Sequence, residues 1–429
     1  MLGNLGDTIT YVLLFISLYF EVFILITYVE YRPHMKRENR RTGAKPTYYP
    51  TVSIIVPCWN EEFTIGKTLH SLLDLDYPKN KLEIIAVDDG STDGTWAVLQ
   101  KFVNPNQSAH DRYDKTRVRI FHKENGGKHT ALNFALGQST SELVGCLDAD
   151  SYVHKDALTH IVHYFEDKAT MAVTPSVKIY KPETILQMIQ GVEYGWGIFL
   201  RKILSYLGAL YVTPGPFSIF RRDVFKRIGE YRHAHNTEDM ELAMRMQAHH
   251  MKIANAHNAV VYTVAPRTLS KLITQRVRWT HGFIKNVIDY KFIFFRKQYG
   301  NLGIFILPIA SVSIVTGIYI IGRSVINTII SLSHSIQKFM ITGFNFGSPS
   351  SFNFSLDLFS INTEFIAFAS TIVLIGTLAM VLVSRKMAEG KLTFGMDLVY
   401  FATLYTFIAP LWLVKAVYNV LFSVRTTWR

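Results

Sequence analysis

The most informative chemistry in this sequence is a pair of carboxylates two residues apart, Asp148 and Asp150. They directly follow an apolar run, 144–147, that is typical of a buried strand. Two carboxylates at a strand end can face one cleft, and their hard oxygen atoms suit Mg²⁺ or Mn²⁺. Such an ion bridges to phosphate oxygens and neutralises charge on a leaving diphosphate. A solvated acidic turn is the ordinary alternative, but the context below favours a metal site.

A second acidic pair and a lysine suggest a site for the rest of a nucleotide. Asp88 and Asp89 end another apolar run, and either carboxylate could accept a hydrogen bond from a nucleobase N–H or a ribose hydroxyl. Lys128 follows two glycines and precedes a predicted helix, which suits a diphosphate cradle but is not a P-loop. An ordinary turn with a helix cap at Ser91 or Thr92, and a flexible loop with a solvated lysine, would also explain these residues.

A third acidic group opens a predicted helix that runs to about residue 250. Asn236 or Thr237 could cap this helix, and Glu238 and Asp239 in its first turn suit the helix dipole. The functional interpretation makes Asp239 a general base that takes the proton from an acceptor hydroxyl.

Gln275, Arg278 and Trp279 lie three and four residues apart on a predicted helix, so they share one face. Arg278 can bind diphosphate oxygens with two N–H groups, and Trp279 offers a flat apolar surface. A basic helix at a membrane interface, with Trp279 as its anchor, fits the same residues. Both interpretations can hold together.

The elements that must position these groups alternate between strand and helix. The patterns predict strands over 52–57, 82–87, 118–122 and 143–147, and helices over 62–73, 92–102 and 130–136. This alternation predicts a parallel α/β sheet, in which ligands bind beyond the carboxyl ends of the strands. Residues 186–206 and 269–298 suit helices that lie in a membrane interface.

The composition indicates a membrane protein. Hydrophobic residues make up 49% of the 429 residues, and apolar runs at 8–29, 303–330, 362–383 and 397–423 are each long enough to cross a bilayer. The net charge of +12 concentrates beside these runs, notably over 32–45, which favours a cytosolic flank and argues against nucleic-acid binding. Cys58 and Cys146, the two cysteines, fit small buried side chains.

These observations predict five segments. They are an N-terminal membrane anchor (1–31), a basic cytosolic linker (32–50), a catalytic domain (51–268), interface helices (269–300) and a C-terminal membrane region of about three spans (301–429).

Taken together, the motifs resemble those of membrane-bound processive family-2 glycosyltransferases, such as hyaluronan, chitin, cellulose and poly-N-acetylglucosamine synthases. The resemblance covers roughly residues 50–300 and rests on five motifs: Val-Pro-Cys-Trp-Asn-Glu-Glu (56–62), Asp-Asp-Gly-Ser (88–91), Asp-Ala-Asp (148–150), Thr-Glu-Asp (237–239) and Gln-Arg-Val-Arg-Trp (275–279). It implies a Rossmann-like GT-A fold on the cytosolic face, joined to membrane helices.

The resemblance also implies roles for single residues. Asp239 matches the catalytic base, Asp148 and Asp150 match the metal site, and Asp88 or Asp89 matches the uridine contact. Lys128 matches the nucleotide-side lysine, and Arg278 and Trp279 match the diphosphate contact and the acceptor platform. Further binding residues are Pro57, Asn60, Glu61 and Gln275. Residues 213–218 lie where the family has an acceptor-site turn.

The expected function is an inverting and processive β-glycosyltransferase of the plasma or inner membrane. A UDP-sugar, with UDP-GlcNAc favoured, would be the donor, and a growing glycan that is carried across the bilayer would be the acceptor. An accessory subunit is compatible with this function. The alternative is transfer of one sugar to a polyprenyl phosphate or another lipid, against which the Gln-x-x-Arg-Trp pattern argues.

Overall fold

The computed structural model describes residues 2–103, 116–342, 365–390 and 392–424. Its longer elements, numbered in chain order, are α1 (Leu2–Thr42), β1 (Val52–Cys58), α2 (Ile65–Leu73), β2 (Leu82–Asp89), α3 (Thr95–Gln100), β3 (Arg117–Lys123), α4 (Lys128–Gln138), β4 (Leu143–Cys146), β5 (Ser151–Val153), α5 (Ala157–Val162), β6 (Thr170–Ile179), α6 (Ile185–Tyr206), β7 (Ile219–Arg221), α7 (Arg222–Ile228), α8 (Glu238–Ala248), β8 (Lys252–Thr263), α9 (Leu269–Asp289), α10 (Leu307–Thr342), α11 (Phe365–Glu389) and α12 (Met396–Leu421).

Within these ranges, the strands form one mixed sheet in the order β3-β2-β1-β4-β7-β6-β8-β5. β1 pairs in parallel with β2 and β4, and β2 pairs in parallel with β3, as predicted. β7 and β5 run antiparallel to their neighbours, which was not predicted because each has only three residues. The carboxyl ends of β1, β2 and β4 therefore lie on one edge, where ligands bind in such sheets.

The core of this sheet comes from its apolar strands and the helices on its faces. β2 is buried along its whole length, and β1 along all but one residue. Ile65, Leu69 and Leu72 of α2 recur at helical spacing and belong to the same buried cluster as Ile54 and Val56 of β1. Cys58 and Cys146 are both buried and free, as expected from the sequence.

The predicted basic linker over 32–50 is largely helical, because α1 continues to Thr42. Side-chain contacts of this extension explain the difference. Tyr31 stacks on Tyr206 with ring centroids 4.7 Å apart, and Glu38 Oε2 lies 2.7 Å from Lys202 Nζ of α6. These contacts stabilise the helix through Pro33, which would otherwise interrupt it.

The chain divides into two compact units, one of Met1–Ile24 and Ile309–Ala379 and one of Leu25–Pro308 and Met380–Arg429. This division cuts across the five predicted segments, whose boundaries stay predictions. Residues 343–364, 391 and 425–429 of the predicted C-terminal membrane region lie outside the described residues.

Four helices in the described parts are long and apolar enough to cross a membrane: Thr8–Thr42, Leu302–Gln337, Phe368–Glu389 and Met396–Leu421. In the first unit, hydrogen bonds between polar side chains join α1 to α11 and to α10. Thr377 Oγ1 donates to Glu21 Oε1 at 2.5 Å, and Arg323 Nη1 donates to Thr10 Oγ1 at 2.9 Å. Gly376 leaves room for the Glu21 carboxylate, since a Cβ atom there would lie 2.4 Å from Glu21 Oε2. Such bonds are typical of helix packing in lipid.

In the second unit, α12 packs beside the two helices that were predicted to lie in an interface. Trp412 and Ala416 of α12 form a buried cluster with Val277 of α9. Leu398 of α12 forms another cluster with Val192 of α6. α9 ends at Asp289, earlier than predicted, and single 3₁₀ turns follow it.

Candidate active site

The carboxyl edge of the sheet opens into a cavity of about 700 Å³ in the second unit. Most of the predicted site residues line it, namely Pro57, Glu61, Asp89, Lys128, Asp148, Asp150, Asp239, Gln275, Arg278 and Trp279. Asn60 and Asp88 are absent from its wall. The cavity is therefore where residues from six separate stretches of the chain converge.

Only one of the two neighbouring aspartates at the end of β2 faces the cavity. Asp89 does so, and its carboxylate accepts hydrogen bonds from Lys123 Nζ (2.6 Å) and from the backbone N–H groups of Gly126 (3.1 Å) and Gly127 (2.8 Å). Asp88 is fully buried, and its Oδ2 lies 2.8 Å from His122 Nδ1. Successive strand residues point to opposite faces, so the predicted donor contact of Asp88 is not supported by its position.

Asn60, predicted to contact the donor, instead forms hydrogen bonds between two loops. Its side-chain oxygen accepts from Thr92 N at 2.8 Å, and its own N–H donates to Ser91 Oγ at 2.9 Å. Its φ of 56° lies in the left-handed region, which asparagine tolerates better than most residues. Asn60 thus fastens the loop after β1 to the loop after β2, beside the cavity.

Asp148 and Asp150 fit a hard divalent cation. Burial, together with the neighbouring Asp148 and Glu61 carboxylates, raises the pKa of Asp150 to about 6. This mutual repulsion is what a bound cation relieves. In the described residues, no group of three or more His, Cys, Asp or Glu side chains could hold a metal alone. The ion would therefore take further oxygen ligands from a phosphate and from water.

Lys128 connects the Asp148 side of the site to α8. Its Nζ lies 2.7 Å from Asp148 Oδ1 and 3.1 Å from Glu238 Oε1. Burial disfavours a charged lysine, but the two carboxylates outweigh burial and hold the pKa of Lys128 well above its usual value. Glu238 is therefore occupied by an ion pair, and the next residue is the carboxylate that remains for chemistry.

That residue, Asp239, is positioned through its backbone. Thr213 Oγ1 donates to the Asp239 carbonyl oxygen at 2.8 Å, and the Asp239 carboxylate accepts from Met240 N at 2.9 Å. Burial, and then the charge on Glu238, raises the pKa of Asp239 to about 6. A carboxylate with this pKa is a stronger base than an ordinary aspartate and is still ionised at neutral pH.

The turn that leads into α8 has an unusual backbone. Ala234, His235 and Asn236 have φ values of 44°, 55° and 62°, in the left-handed region that residues with a Cβ atom rarely adopt. Each such residue costs of order 1–3 kcal/mol unless its surroundings fix it. The strain lies immediately before the Thr237-Glu238-Asp239 motif, so the orientation of Asp239 depends on what fixes this turn.

Helix α9 provides those contacts from one face. Arg278 Nη1 donates to the Asn236 carbonyl oxygen at 3.1 Å, and Asn286 Nδ2 donates to Thr237 Oγ1 at 2.9 Å. Between them, Gly282 leaves room for Thr237, since a Cβ atom at Gly282 would lie 2.3 Å from its methyl group. Gly282 and Asn286 were not predicted from the sequence as residues of the site. Their spacing of four and eight residues from Arg278 could have indicated them.

The same helix presents Trp279 to the cavity, and Arg276 fixes its ring. The Arg276 guanidinium lies 4.2 Å from the ring centroid of Trp279. It also forms an ion pair with Glu193 of α6 at 2.8 Å. Arg276 and Glu193 are a second pair that sequence reasoning missed, because their contact spans 83 residues.

The residues that line the cavity include two groups of different chemistry, one acidic and one mainly aromatic and aliphatic. We call the first the aspartate end: Asp89, Lys128, Asp148, Asp150 and Asp239. We call the second the aromatic end: Tyr194, Trp196, Gly197, Leu200, Arg201, Leu204 and Tyr211. Aromatic and aliphatic walls with a few polar groups are typical of ligand sites.

Residues 143–413 match the family described as "Glycosyl transferase family group 2", and residues 53–229 match "Glycosyl transferase family 2". The first match covers more than half of the chain, so the chain belongs to this glycosyltransferase family. The resemblance stated from the motifs is thereby confirmed.

Among curated proteins, the chain is 30% identical over 273 residues to a poly-β-1,6-N-acetyl-D-glucosamine synthase of Staphylococcus epidermidis, which is 63% of each chain. A synthase of the same name from Staphylococcus aureus (strain COL) is 31% identical over 233 residues, 54% of each. The matched part of the chain spans less than two thirds of these relatives.

The fold also occurs in the solved structure of the mannosyltransferase PcManGT from Pyrobaculum calidifontis in complex with GDP-Man and Mn²⁺. The TM-score is 0.58 at 18% identity, and the match covers 96% of this chain and 99% of that one. The predicted GT-A fold with apolar helices is confirmed.

Proposed function

We propose that the chain is an inverting β-glycosyltransferase that uses a UDP-sugar to extend a polysaccharide at a membrane. The observation that carries this proposal is the convergence of Asp239, Lys128, Arg278 and the Asp148–Asp150 pair on one cavity at the carboxyl edge of the sheet. UDP-GlcNAc is the favoured donor, because the relatives at about 30% identity are named for a polymer of N-acetylglucosamine.

In the proposed reaction, Asp239 accepts the proton of an acceptor hydroxyl as that oxygen attacks the anomeric carbon of the donor sugar. The bond between this carbon and the diphosphate oxygen breaks, and UDP leaves with the electron pair. Attack from the face opposite the diphosphate converts an α-linked sugar into a β-linked one.

The leaving diphosphate lies, in this proposal, between the aspartate end and α9. Arg278 binds its oxygens, and Lys128 exchanges part of its contact with Asp148 and Glu238 for a phosphate oxygen. Asp148 and Asp150 would hold Mg²⁺ or Mn²⁺, which neutralises charge on the diphosphate when bound. A divalent ion accords with the Mn²⁺ in the PcManGT complex. Trp279, fixed by Arg276, gives the acceptor sugar an apolar surface.

The proposed location is the plasma or inner membrane, with the catalytic unit on the cytosolic side. Support comes from the four apolar helices and from the basic residues Arg32, Lys36, Arg37, Arg40, Arg41 and Lys45, which follow the first apolar run.

Purified protein in nanodiscs, incubated with several UDP-sugars and Mg²⁺ or Mn²⁺, tests the proposal through UDP release and product size. We expect a ladder of polymer from UDP-GlcNAc and none from the Asp239→Asn variant. Absence of transfer from every UDP-sugar and acceptor offered would contradict the proposed function.

The second candidate function is transfer of one sugar to a lipid phosphate. The observation that favours it is a partly buried cation at the aromatic end, Arg201, which has no acidic partner among the described residues. A single lipid-linked sugar in the same experiment would establish this function in place of the first.

A further inference from the structure

Arg201 of α6 is a partly buried cation that the proposed reaction does not use. It lines the aromatic end, and its Nε and Nη2 atoms are buried without a hydrogen-bond partner among the described residues. No described carboxylate lies within ion-pair distance of it. Buried charges in proteins are normally paired, so an unpaired guanidinium requires an explanation.

Other buried cations of the same unit do have acidic partners. Lys202, the next residue along α6, is paired with Glu38 at 2.7 Å. Arg245 is paired with Glu241 at 2.9 Å, and Arg276 with Glu193 at 2.8 Å. The fold thus supplies a carboxylate to these three cations, including the residue next to Arg201 in sequence, but not to Arg201 itself.

Arg201 is charged at neutral pH. Burial lowers the pKa of its guanidinium to about 10, and the other groups that affect it are Tyr194 and Tyr211. The carboxylates of the aspartate end do not contribute. The charge on Arg201 is therefore not balanced by the carboxylates of the aspartate end.

The surroundings leave room for the guanidinium beside the cavity. Gly197 lies one helical turn before Arg201, and a Cβ atom there would lie 3.2 Å from Arg201 Nη1. Nε and Nη2 form one edge of the guanidinium, which is the edge that binds a carboxylate or phosphate with two parallel hydrogen bonds.

We propose that Arg201 binds an oxyanion of the acceptor at the aromatic end. The oxyanion is either a sugar carboxylate on the glycan or a phosphate on a lipid that carries it. This inference rests on the proposed function, since it names the chemical class of the acceptor. An anion fits better than a neutral hydroxyl, because it supplies the missing counter-charge as well as hydrogen-bond acceptors.

Two pairs of probes that differ only or mainly in charge test the proposal on the full chain in nanodiscs. Farnesyl phosphate is compared with farnesol, and a hyaluronan tetrasaccharide with chitotetraose. We expect the wild-type protein to bind the anionic member of one pair about ten- to a hundredfold more tightly than the neutral member. The pair that shows this preference identifies the source of the oxyanion.

Substitutions then assign the preference to Arg201. Arg201→Met should abolish the preference for the anionic probe and leave binding of the neutral probe and of UDP unchanged, while Arg201→Lys should retain part of it. Arg227→Gln, a substitution at an exposed arginine of α7, is the matched control and should retain all of it. Arg201→Met should also unfold at the same or a higher temperature than wild type, because it removes an unpaired buried charge.

Three results would each overturn the proposal. They are equal binding of anionic and neutral probes by the wild type, an equal loss for both probes in Arg201→Met, and a loss confined to UDP. The comparison of anionic and neutral probes on the wild-type protein remains a test even if a variant does not fold. None of these binding measurements requires sugar transfer, so failure of the proposed function remains distinguishable.

Discussion

The aspartate end and the aromatic end of the cavity differ in how positive charge is balanced. At the aspartate end, Lys128 contacts Asp148 and Glu238, and Lys123 contacts Asp89. At the aromatic end, Arg201 has no acidic partner among the described residues. At the first end each of these lysines already has an acidic partner in the protein, whereas at the second end the charge on Arg201 is left for a ligand to balance. The comparison suggests that donor and acceptor are bound by different electrostatic means.

The largest effect is expected at Asp239, where the two substrates must meet. Asp239→Asn keeps the size of the side chain but removes the base, so transfer should fall by about 10²–10⁴-fold. UDP binding should stay within about twofold of wild type, since the donor contacts are made by other residues. Steady-state transfer assays and equilibrium UDP binding check the two parts. Substantial residual transfer would remove Asp239 from its proposed role.

Lys128→Met and Arg201→Met compare how stability changes when a paired cation and an unpaired cation are removed. Removing Lys128 leaves Asp148 and Glu238 buried without their cation, which should destabilise the protein by about 3–5 kcal/mol. The melting temperature should therefore fall in Lys128→Met but not in Arg201→Met. If both variants lost stability equally, the two ends would not differ in the way described.

Gly282→Ala tests the contact between α9 and the left-handed turn. A Cβ atom at Gly282 would lie 2.3–2.9 Å from three atoms of Thr237, so the turn or the helix must shift. We expect kcat to fall by about a hundredfold, since a displacement of about 1 Å has that effect on catalytic geometry. Gly191→Ala in α6 is the matched control, since a Cβ atom there meets nothing within 4 Å. Equal activity of the two variants would show that the turn does not position Asp239.

The smallest effect is a dependence on pH. The pKa of Asp239 is raised to about 6, so the base is ionised above this pH and becomes protonated below it. kcat/KM should therefore be constant near pH 7–8 and fall about tenfold per unit below pH 6. Asp150 also has a pKa of about 6, but its protonation would act through the metal. The fall due to Asp239 should persist at saturating Mn²⁺, and a fall that Mn²⁺ abolishes would assign it to Asp150.

The sequence was sufficient for the acidic strand ends, because a buried strand followed by a carboxylate is a local pattern. Asp89 and Asp148 were found in this way, and both line the cavity. Local pattern could not decide between Asp88 and Asp89, since the choice depends on which face of β2 meets the cavity. Nor could it predict that α1 continues past Pro33, because the contacts of Glu38 and Tyr31 come from α6, over 160 residues away.

The missed parts of the site are relations between distant residues. That Lys128 bridges Asp148 and Glu238 depends on three segments meeting. Arg201 and Lys202 are adjacent basic residues of α6, and the sequence of this helix does not show that only Lys202 has an acidic partner in the described part of the chain. Composition gives the number of charges, but only the packed structure shows which of them are balanced.

The left-handed turn at 234–236 has a consequence for assembly of the protein in a membrane. Contacts from α9 hold this strained turn, so we expect its three residues to relax, and Asp239 to lose its fixed direction, where those contacts are absent. α9 in turn packs on α12, which is synthesised more than a hundred residues after it. As long as α12 has not packed on α9, Asp239 therefore lacks its fixed direction, so a working base depends on the packing of a helix that contributes no residue to the cavity.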